Sequence, residues 1–195
     1  MRRFSVVGAM MLSLSFPGAG WAEDVDLDAL RAAMEKYKDV EVALADGYIP
    51  DPSGHCVSAA AEGLPAELGG MGIHYLQPAL LGITGDKPRV NGNGIHTDWM
   101  APAILLYEPQ EDGSLELVGI ENLVWQAAWA ETGHAHPEIN GRMWDAMADD
   151  LATVADEAHG FEPHFDQHVW LFRENPNGDL EPFNPAVTCE HHMTH

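Results

Sequence analysis

Hydrophobic positions along the chain follow two different periods, and the change between them sets the predicted architecture. Leu27, Leu30, Met34, Tyr37, Val40 and Leu44 recur at steps of three and four, which places them on one face of a helix. Asp24 or Asp26 is placed to cap its start, the early acids complement the positive end of the helix dipole, and Gly47 is placed to end it. The spacing therefore predicts one amphipathic helix over residues 27–44. Residues 49–70 are rich in Pro, Gly and Ala and read as irregular, with a helical turn at 57–62.

Beyond this point the pattern is that of strands. Residues 71–76 read as a short strand, and 84–97 as a loop punctuated by Gly85, Pro88, Gly92 and Gly94. The apolar runs 103–107 and 115–124 flank Glu111-Asp112-Gly113-Ser114, the signature of an antiparallel hairpin. Residues 125–132 either continue as strand or turn helical, 133–140 form a loop, and 143–155 are weakly helical. A last strand at 168–172 precedes a turn at Asn175-Pro176-Asn177-Gly178 and an extended Pro-rich tail. There is no internal repeat and no regular alternation of strand and helix. The expected fold is a single α+β domain, with an N-terminal amphipathic helix packed on a mostly antiparallel sheet with long loops.

The residues ahead of this domain read as a secretory signal. Arg2 and Arg3 supply the positive start, residues 4–16 an uncharged apolar run, and Gly20-Trp21-Ala22 small residues for cleavage. An apolar run of about 13 residues falls short of the roughly 20 that span a bilayer, so no membrane association is expected after cleavage. Residues 1–22 are thus the expected signal peptide and 23–195 the domain, destined for the periplasm or for secretion.

Charge narrows the partners. The chain has 31 acidic and 9 basic residues and a formal net charge of −22, and its leader holds two of the arginines and no acid. Such a protein repels nucleic acid and anionic lipid, both of which need clustered Lys and Arg. Cations and small molecules are the partners that remain. Cys56 and Cys189 are the only cysteines, and in an exported chain a lone pair is most simply a disulfide. The rival is a thiolate metal site with His55 and His191 or His192.

Three blocks carry a resemblance: Gly70-Met71-Gly72-Ile73-His74-Tyr75, His168-Val169-Trp170-Leu171-Phe172 with Asn175-Pro176-Asn177-Gly178, and Phe183-Asn184-Pro185-Ala186-Val187-Thr188-Cys189. They resemble the recurrent segments of a family of exported bacterial proteins to which no activity is assigned. The resemblance runs over nearly the whole mature chain. It implies export and names neither ligand nor substrate.

The candidate chemistry lies in the 11 histidines, all downstream of the expected cleavage point. On a strand, His164, Asp166, His168, Trp170 and Phe172 share one face, so two imidazoles with a carboxylate between them can share a metal or form a ligand and its outer partner. One helical turn would also set His164 and His168 on the same side. His74 is the third expected ligand, because Gly70 and Gly72 allow a bulge or close backbone approach beside it. Glu121 is an acid among Leu117, Val118, Ile120, Leu123 and Val124, and such a carboxylate needs a cation or donors if buried. The expected metal set is therefore His74, His164, His168 and Glu121, with Glu121 also the weak candidate for a catalytic base. Three imidazoles and a carboxylate suit Zn or Cu first, and also Fe, Ni or Mn. His96, His134, His136, and the terminal His191, His192 and His195 are weaker candidates, and His159 reads as a surface residue.

No nucleotide-binding loop, nucleophile elbow or His-Glu-x-x-His helix is present, and no organic cofactor is indicated. Trp99, Trp125, Trp129, Trp144 and Trp170 share no period and read as core. Three functions stay open: an exported transition-metal-binding protein, a metal-dependent enzyme using the same ligands, and a metal-free module stapled by its disulfide.

Overall fold

A computed structural model describes residues 22–149, 152 and 158–192. The expected signal peptide, apart from Ala22, lies outside these residues, as does His195.

The first apolar period folds neither as one helix nor with its whole expected inner face buried. Helix α1 spans Leu27–Met34, with the Asp26 carboxylate accepting from the backbone amides of Asp28 and Ala29. A single 3-10 turn, Glu35–Lys38, follows, and α2 restarts at Val40–Ala45. The break is at Asp39, whose backbone is extended and whose carboxylate caps the amide of Glu41. An Asp side chain competes with helix bonding in this way, and here it starts a second helix in place of continuing the first. Leu30, Met34 and Tyr37 are nonetheless buried on one side, but after the break the buried position is Ala43, and Leu44, expected on the inner face, is 41% exposed.

The strands assemble into a seven-stranded sheet. Its members are β1 (Ile49–Pro50), β2 (Cys56–Ser58), β3 (Gly70–Leu76), β4 (Ile104–Pro109), β5 (Leu115–Trp125), β6 (Asp145–Met147) and β7 (His164–Trp170). The spatial order is β6-β7-β5-β4-β3-β1, with β2 also on β3, and every pairing is antiparallel. Short helices α3 (Pro78–Leu81) and α4 (Gln126–Thr132) connect strands. The chain is thus the expected α+β domain, with four α-helices and a mostly antiparallel sheet.

Several local expectations are settled or corrected. Residues 125–132 turn helical after Trp125, and Gly133 in the left-handed region ends α4. Of the weakly helical segment 143–155, the described part begins as strand: Arg142–Met143 and then β6, paired with β7 through Asp145 and Asp166. Its residues 150, 151 and 153–157 lie outside the described residues. Trp144 is buried against Trp99 with ring centroids 5.4 Å apart, and that anchoring holds the segment in extended form. The last strand starts at His164 rather than His168, and the helical turn expected at 57–62 begins one residue late, after strand Cys56–Ser58, with Ser58 O accepting from the amides of Ala61 and Glu62.

Both faces of the sheet are covered, which explains why β4 and β5 read as continuous apolar runs. On one face Tyr75, Leu105, Tyr107, Ile120, Val124 and Val169 pack under α1 and α2. On the other, Leu76, Ile104, Leu106, Leu123, Trp125 and Trp170 pack with Leu81, Phe161 and Val187. The tail closes this second face. Asn184 exchanges backbone hydrogen bonds with Gly70, and a disulfide joins Cys189 to Cys56 of β2 across a sequence separation of 133. The cysteine pair is therefore a disulfide and not a thiolate metal site. Among the described residues no helix is long and apolar enough to cross a membrane.

Candidate metal centre

The second face carries a group of polar side chains inside its apolar cluster. On β7 the alternation of side chains puts His164, Asp166 and His168 on this face, and all three are buried. Glu121 of β5 stands directly opposite His168, and Leu123 opposite Asp166. On β4 the neighbour of Glu121 is Ile104. On β3, His74 pairs with Leu106, so its imidazole reaches over β4 to the carboxylate. Gly72, two residues earlier, has φ +91, and a Cβ there would stand 2.5 Å from the carbonyl oxygen of Tyr107. Only glycine lets β3 come so close to β4, which is the close approach its position predicts.

The result is a convergence of three donors. His74 Nε2 lies 3.2 Å and His168 Nε2 3.5 Å from the same oxygen, Glu121 Oε2. One donor atom from each of the three residues lies within 4.8 Å of the others. A tetrahedral ion bound at about 2.0–2.2 Å separates its ligand atoms by about 3.3–3.6 Å, so the 3.5 Å spacing falls within this range and the 3.2 Å spacing just below it. Hydrogen bonding does not explain the arrangement. Among the described residues, Glu121 Oε2, His74 Nδ1 and both ring nitrogens of His168 lack a hydrogen-bond partner. Buried polar groups rarely stay unpaired, and the unpaired Glu121 Oε2 and His168 Nε2, with His74 Nε2 beside them, mark a place where a cation fits.

Further polar groups share this cavity, whose volume is about 30 Å³. Its lining includes His74, Glu121, His168, His164, Asp166 and His159, with Asp51 at one side and apolar Val57, Met71 and Phe161 at another. Space of this size admits an ion with a small ligand and not an organic substrate. His164 Nε2 faces Asp166 Oδ2 at 3.8 Å, and its Nδ1 lies 2.9 Å from the carbonyl oxygen of Glu162. His164 is therefore on the cavity wall but is not one of the three converging donors.

The electrostatics favour positive charge here. Burial opposes the imidazolium of His74, but Glu121, with help from Asp51 and Asp166, outweighs it and holds the pKa above the usual histidine value. His164 is raised in the same way, burial being overcome by Asp166. Burial works against the Asp166 carboxylate too, yet His164, His168 and His159 together keep its pKa below the ordinary aspartate range.

The weaker candidates lie elsewhere. His96 Nε2 is 2.7 Å from the carbonyl of Ala101. His134 packs on Trp129, and His136 packs edge-on to Phe165, whose side chain belongs to the opposite face. His192 Nε2 lies 2.8 Å from the carbonyl of Gly54, and His191 is exposed. None of them lines the cavity. His159 was expected at the surface but does line it, near Glu62 at 3.1 Å. A parallel bridge between Val90 and Phe161 brings that turn over the sheet, a contact no local pattern announces.

The fold and the site define an α+β domain with a buried His–Glu–His group that can hold a metal ion. Compared with known proteins, the chain matches no family model, no curated protein and no solved structure.

Proposed function

We propose that this is an exported protein that binds one transition-metal ion through His74, Glu121 and His168. The observation that carries the reading is the convergence of the buried Glu121 and His168 and the partly buried His74, with Glu121 Oε2 and His168 Nε2 lacking a hydrogen-bond partner among the described residues. Two imidazoles and a carboxylate suit Zn and Cu first, with Fe, Ni and Mn also compatible. The acidic surroundings of Asp51 and Asp166 favour a cation over any anion. Export is supported by the signal-like residues 1–22 and by the disulfide, which forms and persists in oxidising compartments. The resemblance to exported bacterial proteins agrees with it. A metal-free stapled module is the weaker reading, because it leaves a buried carboxylate oxygen and two imidazoles unsatisfied.

The test is zinc titration of protein purified without a tag or chelating resin, then freed of metal. Wild type is expected to bind one equivalent, and the triple variant His74→Ala, Glu121→Ala, His168→Ala none. A variant lacking the last five residues, with the terminal histidines, should bind as wild type does. Loss of binding on that truncation alone, or full binding by a folded triple variant, would sink the proposal.

A further inference from the structure

Asp166 is a buried carboxylate of the cavity that the metal set leaves unexplained. It precedes His168 by two residues on the same face of β7, and its side chain is only 5% exposed. One oxygen, Oδ2, faces His164. The Nδ1 of that ring lies against the Glu162 carbonyl, which can only accept, so Nδ1 carries a hydrogen and Nε2 is the atom turned to Asp166. The other oxygen, Oδ1, has no hydrogen-bond partner among the described residues. A buried carboxylate oxygen without a donor is costly, so the structure around it must supply one. Asp166 is not among the donors that converge on one point, so it faces the ion's surroundings and not the ion.

We infer that the fourth coordination position of the metal takes a water or another small, neutral, hydrogen-donating molecule, oriented by Asp166 Oδ1. The inference rests on the metal reading above. Three protein donors leave a tetrahedral ion one position short, and a ligand in that position has its hydrogens polarised by the metal. Those hydrogens need an acceptor. Of the other carboxylates at the cavity, Glu121 belongs to the metal set and Asp51 accepts from the amide of Ser53 at 2.9 Å through Oδ1. Asp166 Oδ1 is the carboxylate oxygen outside the metal set that has no hydrogen-bond partner among the described residues, while Oδ2 lies 3.8 Å from His164 Nε2. The ligand class follows: molecules of the size of water or hydrogen peroxide fit a cavity of about 30 Å³, and anions are repelled by Asp166, Glu121 and Asp51. Asp166 is thus a positioning residue, and the site is open and not a closed store.

Cobalt(II) substitution with azide as the probe tests this. Wild type should take up one Co(II) and bind azide weakly, as followed in the visible spectrum. Asp166→Asn should still take up one Co(II) but bind azide about tenfold or more tightly, because the repelling charge is gone. Equal azide affinity in the two proteins overturns the inference, and so does loss of Co(II) from a folded Asp166→Asn, which would make Asp166 a ligand. Failure of wild type to take up Co(II) or zinc is the separate failure of the metal reading. Should Asp166→Asn not fold, spin-echo spectroscopy of Cu(II)-loaded wild type in D₂O decides. Deuterons at bound-water distance support an open position, and their absence overturns it.

Discussion

His168 and Glu121 occupy facing positions on two neighbouring antiparallel strands, and His168 Nε2 stands 3.5 Å from Glu121 Oε2. Register alone makes this pair. The third member comes from further away, since His74 reaches the same oxygen from β3 across Ile104 and Leu106 of β4. The group therefore rests on an apolar bed, where attraction between charges is weakly screened and an unshared charge is expensive.

In the metal-free protein, Glu121→Gln should lower the pKa of His74. Burial already pushes this imidazole down, and Glu121 is the main influence lifting it above 6.5. A raised folded-state pKa contributes stability that is fully present below the unfolded value and is lost as pH rises through the folded one. Urea unfolding in the presence of a chelator should thus show wild type ahead of Glu121→Gln most clearly just below pH 6.5, with the gap narrowing at higher pH. A gap that widened with pH would contradict the assignment.

His164→Ala should keep the metal but hold it less well. Partners of the ligand sphere typically contribute about 10–100-fold in affinity, whereas removal of a ligand abolishes stoichiometric binding. Competition with a chromogenic chelator separates the two outcomes. One equivalent of zinc at weakened affinity is expected, and complete loss would make His164 a ligand.

Gly72→Ala should destabilise the fold by about 3 kcal/mol, combining a left-handed backbone with a collision. The added Cβ would stand 2.5 Å from Tyr107 O at φ +91. Zinc binding should weaken as well, because β3 has to move and His74 moves with it. Gly113 provides the control. Its φ is +83 but nothing lies within 4 Å of a Cβ there, so Gly113→Ala should cost only about 1 kcal/mol. Chemical denaturation and zinc titration of both variants check the contrast.

Replacing Cys56 and Cys189 together by Ala should cost about 4–5 kcal/mol on the chain-entropy account of so long a loop. The sequence separation of the pair is 133. Urea midpoints of the double variant and wild type measure this, and a difference below about 1 kcal/mol would mean that the tail is held by its other contacts. Those contacts include the Asn184–Gly70 bridge and Arg173, whose guanidinium lies 2.6 Å from Glu108.

Much of this was legible in the sequence. The hairpin of β4 and β5 and the shared face of His164, Asp166 and His168 follow from local period, and Glu121 stood out as an acid in an apolar run. The grouping of ligands did not follow. His164 and His168 share a face, but four residues of strand separate them by about 13 Å, beyond one ion's reach. Only the register of β7 on β5 reveals that the real neighbour of His168 is Glu121. The interruption at Asp39 was equally hidden, because Val40 keeps the apolar spacing across the break, and only the exposure of Leu44 betrays the change of phase. His159 entered through a long-range bridge that leaves no local mark.

The three donors come from β3, β5 and β7, strands that become neighbours of one site only when the whole sheet has formed. An unfolded chain offers scattered imidazoles with no fixed geometry, and its tight metal capture is correspondingly absent. A bound ion then works as a seal on completed assembly: it favours the finished sheet over every partly opened form, by an amount set by the free metal concentration. Metal supply would accordingly govern how long each molecule survives proteolysis, apart from any chemistry carried out at the site.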